Sequence, residues 1–195
     1  MSAGLLAAAF DRLYDPRIGI VAGLAEAAPE PGSPDFIHVA ARTCDTALLG
    51  GAPGPFTVAA AAASRESAVI GALRAGLARY AAALYEREGL PLSSYAEAGF
   101  PCIPPEALAL FSQDQYRRAG FPYVPFDRDT PVRWARAIDL ATGESVHVPA
   151  GLVWHPFRYV RSAGDRPVVP AHPAGLAAGD SVAEAALSGI REVVA

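Results

Sequence analysis

The chain has 195 residues, 52% hydrophobic and 18% charged, with a formal net charge of −4 at pH 7. That is enough apolar chain for one sizeable core or two small lobes, it argues against wholesale disorder, and the mild acidity leaves no nucleic-acid footprint. All 16 basic residues are arginine, which excludes a Walker-type phosphate lysine, a Schiff-base lysine and a Ser-Lys dyad.

From the N-terminus, a helix is predicted over residues 3–14, with Leu5, Leu6, Ala9 and Leu13 on one side and Asp15-Pro16 as its breaker. The short apolar run there lacks a basic n-region, so it reads as a capping helix and not a signal peptide. No run approaches the ~20 apolar residues of a membrane span. Residues 18–21 and 36–40 read as strands on either side of a Pro/Gly-rich loop over 28–34. Cys44 and Cys102 stand in no CxxC frame and read as reduced thiols of a cytoplasmic protein.

The longest helical signal runs from Ser64 to Glu88. Leu73, Leu77, Tyr80 and Leu84 recur at steps of four, three and four, one face of a helix. Ser64 is the expected N-cap, Glu66 places negative charge in the first turn, and Gly89 is the expected stop. The alanine run before Ser64 reads as the same helix extended backwards. Further on, residues 134–139 alternate as a strand, 141–144 form a hairpin turn, and 146–153 form the return strand. Trp154, Phe157 and Tyr159 follow as core or lobe-packing aromatics. In the last block Ser181 and Glu184 make a capping box, and Leu187, Ile190 and Val194 an apolar helix face.

Three stretches together resemble the azoline-forming branch of the YcaO-like family. Ala68, Gly71, Ala72, Leu73, Arg79 and Tyr80 match the family's first glutamate helix, A-x-x-S-A-L-x-E-A-x-E-R-Y, with Ala75 and Ala78 where its two glutamates stand. The block from Pro101 through Phe157 follows the family's proline loop, "L.lFs..QY", tryptophan strand and "dL.tGe...vPa" order. Gly175, Gly179, Ala185 and Glu192 match the second glutamate helix, while Pro173, Ala174 and Ala195 replace its usual Ser/Thr, Asn/Thr and second glutamate. The family's Gly-Lys-Gly-like turn would fall on Ala60, Ala61 and Ala62, so both its cation and its glycine freedom are missing.

The resemblance implies an α+β fold, with mixed or antiparallel strands packed by helices: one partial domain over residues 1–195, like the N-terminal half of a YcaO domain. It implies a function related to ATP-dependent cyclodehydratases, in which a Cys, Ser or Thr side chain of a ribosomal precursor peptide attacks the preceding amide and the backbone oxygen leaves as phosphate. Two E-x-x-E helices would present four carboxylates to Mg²⁺, which demands hard oxygen ligands. Of those four, Glu192 alone remains as a metal position. Arg79 and Glu192 are the residual cofactor-binding positions, Arg79 reading equally as a surface arginine, and no catalytic residue is assigned. ATP and Mg²⁺ are therefore family cofactors that this chain is not expected to bind alone. Glu66, Glu86, Glu88 and Glu184 read as solvated helix faces, and His38, His147, His155 and His172 as scattered histidines without metal-ligand spacing. The expected partners are a full-length YcaO protein or a leader-peptide-binding protein, together with the precursor peptide. A non-catalytic scaffold or peptide-docking module is the alternative, and a decaying gene fragment a third reading. A partial domain would leave an apolar face uncovered, so an oligomer or complex is expected.

Overall fold

In the computed structural model of the protein, which describes residues 10–28, 32 and 34–194, the alanine run ahead of Ser64 is a strand and not a backward extension of the helix. It is the third strand of an antiparallel sheet ordered β1 (Val21–Ala27), β2 (Ile37–Thr43) and β3 (Thr57–Ala62). The register sets Ala60 opposite Val39 and Ala62 opposite Ile37. Pairing along the whole of β2 outweighs the helix preference of alanine, which is under ~1 kcal/mol per residue. Ser64 then opens the helix as expected: its hydroxyl accepts the Ser67 N–H at 3.2 Å, and α1 runs Arg65–Ala83.

The face that α1 buries differs from the expected leucine stripe. Leu73 is fully buried, but Leu77, Tyr80 and Leu84 are only half-buried, while Ala68, Ala72 and Ala83 are completely enclosed. Small residues are needed because the helix lies close on the sheet. A Cβ on Gly76 would stand 2.9 Å from Val21 Cγ2, and one on Gly71 would stand 2.8 Å from Ala60 Cβ. The helix also ends earlier than Gly89. Ala52 N–H takes the Ala83 carbonyl at 2.9 Å, and Leu84 leaves in extended conformation.

At the N-terminal side, residues 10–13 are helical, whereas residues 3–9 of the expected helix lie outside the described residues. The strand expected over 18–21 begins only at Val21. Asp15 Oδ1 accepts the N–H groups of Arg17 (2.7 Å) and Ile18 (3.0 Å), which curls this segment into a turn and leaves Ile18 89% exposed.

The described residues divide into two compact units, those within 1–84 together with those within 173–195, and Tyr85–His172. The second unit is built on an antiparallel sheet of β4 (Leu92–Ser93), β5 (Val132–Ile138) and β6 (Ser145–Pro149). The expected hairpin is present: Asp139 Oδ1 accepts Ala141 N–H at 2.8 Å, and Gly143 turns at φ 76°. The return strand stops at Pro149 and not at Val153, because the chain coils into a 3₁₀ turn over Ala150–Leu152. Trp134 is fully buried and donates its indole N–H to Ser93 O at 3.0 Å, with Val132, Val168 and Val169 around it. A one-turn helix, α2 (Gln113–Tyr116), carries a complete capping box between Ser112 and Gln115.

Tyr159 anchors this second core. Its hydroxyl donates to Val169 O at 3.1 Å, and burial pushes the phenol up to about 12. The fold favours the neutral phenol, so this stabilisation is complete below pH ~10, the ordinary value, and is lost as pH rises through 12. Two units correspond to about 2–3 kcal/mol. Denaturant melts between pH 9 and pH 12 are expected to show that loss in the native protein and a smaller one in Tyr159→Phe. Equal losses would deny Tyr159 the role.

Candidate functional site

The family-matched positions of α1 lie on its central turns. Ala78 is 8% exposed and Ala75 half-buried, and neither methyl can ligate or hydrogen-bond. One residue on, Arg79 lays its guanidinium over the Phe56 ring, 4.8 Å from the centroid. Its Nε is buried without a hydrogen-bond partner, and desolvation pulls its pKa below the ordinary arginine value. This is a cation held on an aromatic face, not the free surface arginine that was one of its two readings.

Phe56 is held by the loop that precedes β3. Its N–H donates to Thr43 Oγ1 at 3.0 Å, and Thr43 N–H donates to Phe56 O at 2.9 Å. Upstream, the Asp45 carboxylate accepts the N–H groups of Gly54 (2.8 Å) and Ala47 (3.0 Å), which hold its pKa below the usual carboxylate range. Thr46 Oγ1 donates to Ala52 O within the same loop. The loop is thereby tied to α1 at Ala83 and, through Phe56, at Arg79.

The last helix, α3 (Val182–Val194), returns to the first unit. Ser181 Oγ accepts Glu184 N–H at 3.2 Å, while Glu184 Oε2 reaches back to Asp180 N–H at 2.9 Å, one residue beyond the position a capping box would use. The other Glu184 oxygen accepts Arg74 Nη1 at 2.7 Å, and Arg74 Nη2 meets Asp180 Oδ2 at 2.9 Å. Burial pulls the Arg74 guanidinium down, but the two carboxylates outweigh it and hold it above its ordinary value. Glu184 is therefore an ion-pair member tying α1 to α3, not a solvated face. Gly189 is buried where α3 passes close to its own unit, and a Cβ there would stand 2.6 Å from Gly175 O.

Glu192 Oε2 accepts Gly175 N–H at 3.2 Å. The contacts of Arg79 and Glu192 thus lie with different partners, Phe56 and Gly175. Glu66 keeps one carboxylate oxygen buried and without a hydrogen-bond partner, and Glu86 and Glu88 are exposed. Among the described residues no group of three or more His, Cys, Asp or Glu side chains is placed to hold a metal ion. Sequence reasoning missed Arg74 and Asp180 as members of this arrangement. Their pairing spans more than a hundred residues and leaves no periodic signal, although Arg74 adjoins the position of the family's first glutamate.

Comparison with known proteins gives a consistent picture. A family model described as YcaO cyclodehydratase, ATP- and Mg²⁺-binding, matches residues 59–195. A search of curated proteins finds no match. Among solved structures, YcaO from Methanopyrus kandleri bound with AMPPCP and Mg²⁺ is similar over 89% of this chain and 37% of that one, at 24% identity and a TM-score of 0.55. A heterocyclase in complex with substrate and cofactor is similar over the whole chain and 27% of its own, at 19% identity and a TM-score of 0.72. The heterocyclase TruD is similar over 65% of this chain and 19% of its own, at 23% identity and a TM-score of 0.51. The chain thus spans well under half the length of each of these structures, and they establish the fold alone. The positions that match the family's nucleotide site differ in what they offer a cation or phosphate. Ala75 and Ala78 offer no oxygen, Glu192 is engaged by a backbone N–H, and Arg79 is engaged by an aromatic ring.

Proposed function

This chain belongs to the YcaO family, and we propose that it is a component of azole- or azoline-forming peptide modification. It is related in this reading to the ATP-dependent cyclodehydratases that cyclise Cys, Ser or Thr side chains of a ribosomal precursor peptide. It has no ATP–Mg²⁺ site of its own and works in the cytoplasm beside a full-length YcaO protein or a leader-peptide-binding protein. That partner supplies the nucleotide chemistry and the grip on the precursor.

The single observation that carries the reading is the donor set of α1. The family match runs through this helix, yet its two glutamate positions are Ala75 and Ala78, one of them buried. Phosphoryl transfer depends on metal ions to position and neutralise phosphate charge, and methyl groups cannot hold them. The heterocyclases among the structural neighbours support ring formation as the chemistry of the assembly.

A thermal melt with and without Mg²⁺-ATP tests this. A ligand at 100 times its Kd stabilises a protein by about 2.7 kcal/mol, which would raise Tm by several degrees. The midpoint is expected not to move. A nucleotide-dependent rise would show that the chain holds phosphate by itself and would end the non-ATPase reading.

A further inference from the structure

In the second unit, a hollow of about 410 Å³ opens between the loop over 124–131 and Arg166. Its walls are tied down. Val124 N–H donates to Pro167 O at 2.9 Å, which joins the two segments, and Ala96 N–H donates to Arg128 O at 2.9 Å. Within the loop the Asp127 carboxylate accepts the Thr130 hydroxyl at 2.6 Å and the Asp129 N–H at 3.1 Å, while Pro125 and Pro131 restrict the backbone on either side. The Thr130 hydroxyl is the main reason that this carboxyl lies below the usual carboxylate range.

Two charged side chains on this hollow are left over. The Arg166 guanidinium and the Asp129 carboxylate are exposed, and neither group has an ion pair or hydrogen bond among the described residues. Arg128, which stands between the two aspartates in sequence, is committed elsewhere. Its Nε donates to Glu106 Oε1 at 2.9 Å, and its guanidinium lies over the Tyr95 ring. The lining therefore presents one free cation and two carboxylates, an excess of one negative charge. A guanidinium offers its planar fork to a carboxylate, and carboxylates accept from ammonium or guanidinium groups in return.

We propose that this hollow is a binding site for a basic α-amino acid, arginine or lysine as the free molecule. Such a ligand carries one carboxylate for Arg166 and two cationic groups, the α-ammonium and the side-chain end, for Asp127 and Asp129. Its charges mirror those of the lining, which neither a simple carboxylate nor a neutral amino acid achieves. The size agrees, since small-molecule sites run from about 300 to 1,000 Å³. Val124 and the two prolines supply apolar contact for the ligand's methylene stem. Because the pairing charges are exposed, binding is weak, with a Kd on the order of millimolar. The assignment does not rest on the peptide-modification reading, and either can fail without the other.

Backbone amide NMR shifts of the isotope-labelled chain, followed as L-arginine is added through the millimolar range at low ionic strength, test the proposal. The expected result is saturable one-to-one binding, with the shifts concentrated over 124–131 and at Arg166. Arg166→Ala and Asp129→Ala are each expected to weaken it about fivefold, the upper end for an exposed ion pair. Neither side chain has a partner in the fold, so the thermal midpoint of both variants stays where it was. Agmatine, which is arginine without its carboxylate, is expected to bind the native chain more weakly than arginine and to lose nothing further on Arg166→Ala. Citrulline, which keeps the amino-acid end and loses the side-chain charge, is expected to bind more weakly too. Absence of saturable shifts around the hollow overturns the proposal, as does agmatine binding as tightly as arginine. An affinity for arginine that ignores both Arg166→Ala and Asp129→Ala also overturns it. A peptide ending in arginine that binds about tenfold tighter than the free amino acid assigns the hollow to a peptide terminus and overturns it as well.

Discussion

Replacing Asp165 with alanine is expected to cost the second unit about 3–5 kcal/mol, enough to unfold a domain of ordinary stability at modest denaturant. The side chain is 1% exposed and every contact it makes is charge-assisted or to backbone. Oδ1 accepts Arg133 Nε at 2.7 Å; Oδ2 accepts Arg87 Nε at 3.0 Å, Arg87 Nη2 at 2.8 Å and Val160 N–H at 2.8 Å. The two guanidinium groups are themselves 16% and 11% exposed, and Arg133 Nη1 also donates to the carbonyls of Arg87 and Leu90. One carboxylate thus fixes the start of the unit, its central strand and its last loop. Removing it strands two buried cations and an amide, which costs far more than the pair contributes over a hydrophobic replacement. Asp165→Asn tests the charge with the size kept: its amide turns a donor toward guanidinium groups that can only donate. Urea melts read through the fluorescence of Trp134 and Trp154, both in this unit, measure both variants. A loss under about 1 kcal/mol for the alanine variant would show that the arginines find other partners and that the cluster does not hold the unit.

Local signals were legible in the sequence wherever the partners are close along the chain. Ser64 caps α1 as its position before an apolar run required, Gly143 turns the second hairpin within the expected 141–144, and Ser181 with Glu184 starts the last helix. The family, and with it the α+β class, was legible from residue order. What escaped is non-local. Five consecutive alanines carry a helix preference, and only β2, about twenty residues upstream, makes four of them a strand. The burial of Gly76, Ala72 and Ala83 in preference to Leu77 and Tyr80 follows from how near α1 lies to that sheet, which periodicity cannot report. Arg74 with Asp180, and Arg87 and Arg133 with Asp165, are scattered charges until the fold brings them together. The stripe of Leu187, Ile190 and Val194 has helical period but stands exposed, and period alone does not say whether an apolar face meets its own core.

Putting back the family's glutamate at Ala78 should be strongly destabilising. Ala78 is 8% exposed on α1, among neighbours that meet methyl groups. A carboxylate there would be buried without a cation, because Arg79 rests on Phe56 and Arg74 is committed to Asp180 and Glu184. The expected cost of Ala78→Glu at neutral pH is about 3 kcal/mol or more. Part of it is charge and part is volume, and pH separates them. Burial raises the folded pKa of the new carboxyl above its unfolded value of about 4.3, so the penalty is full at pH 7, shrinks as pH falls through the folded and then the unfolded pKa, and is gone near pH ~3, where the group is neutral in both states. Ala78→Gln, which keeps the volume without the charge, is expected to cost less at pH 7 and to show no such relief. Ala75→Glu, at a half-buried position, is expected to cost less than Ala78→Glu. Mg²⁺ decides the functional question. If α1 still bordered a cation pocket, millimolar Mg²⁺ would restore the Ala78→Glu midpoint by binding the folded form. With Ala75 unable to ligate and Glu192 already accepting from Gly175 N–H, Mg²⁺ is expected to leave the variant as unstable as before. Rescue by Mg²⁺ would mean that the site lost its glutamates and kept its shape, and the non-ATPase reading of this chain would fall with it.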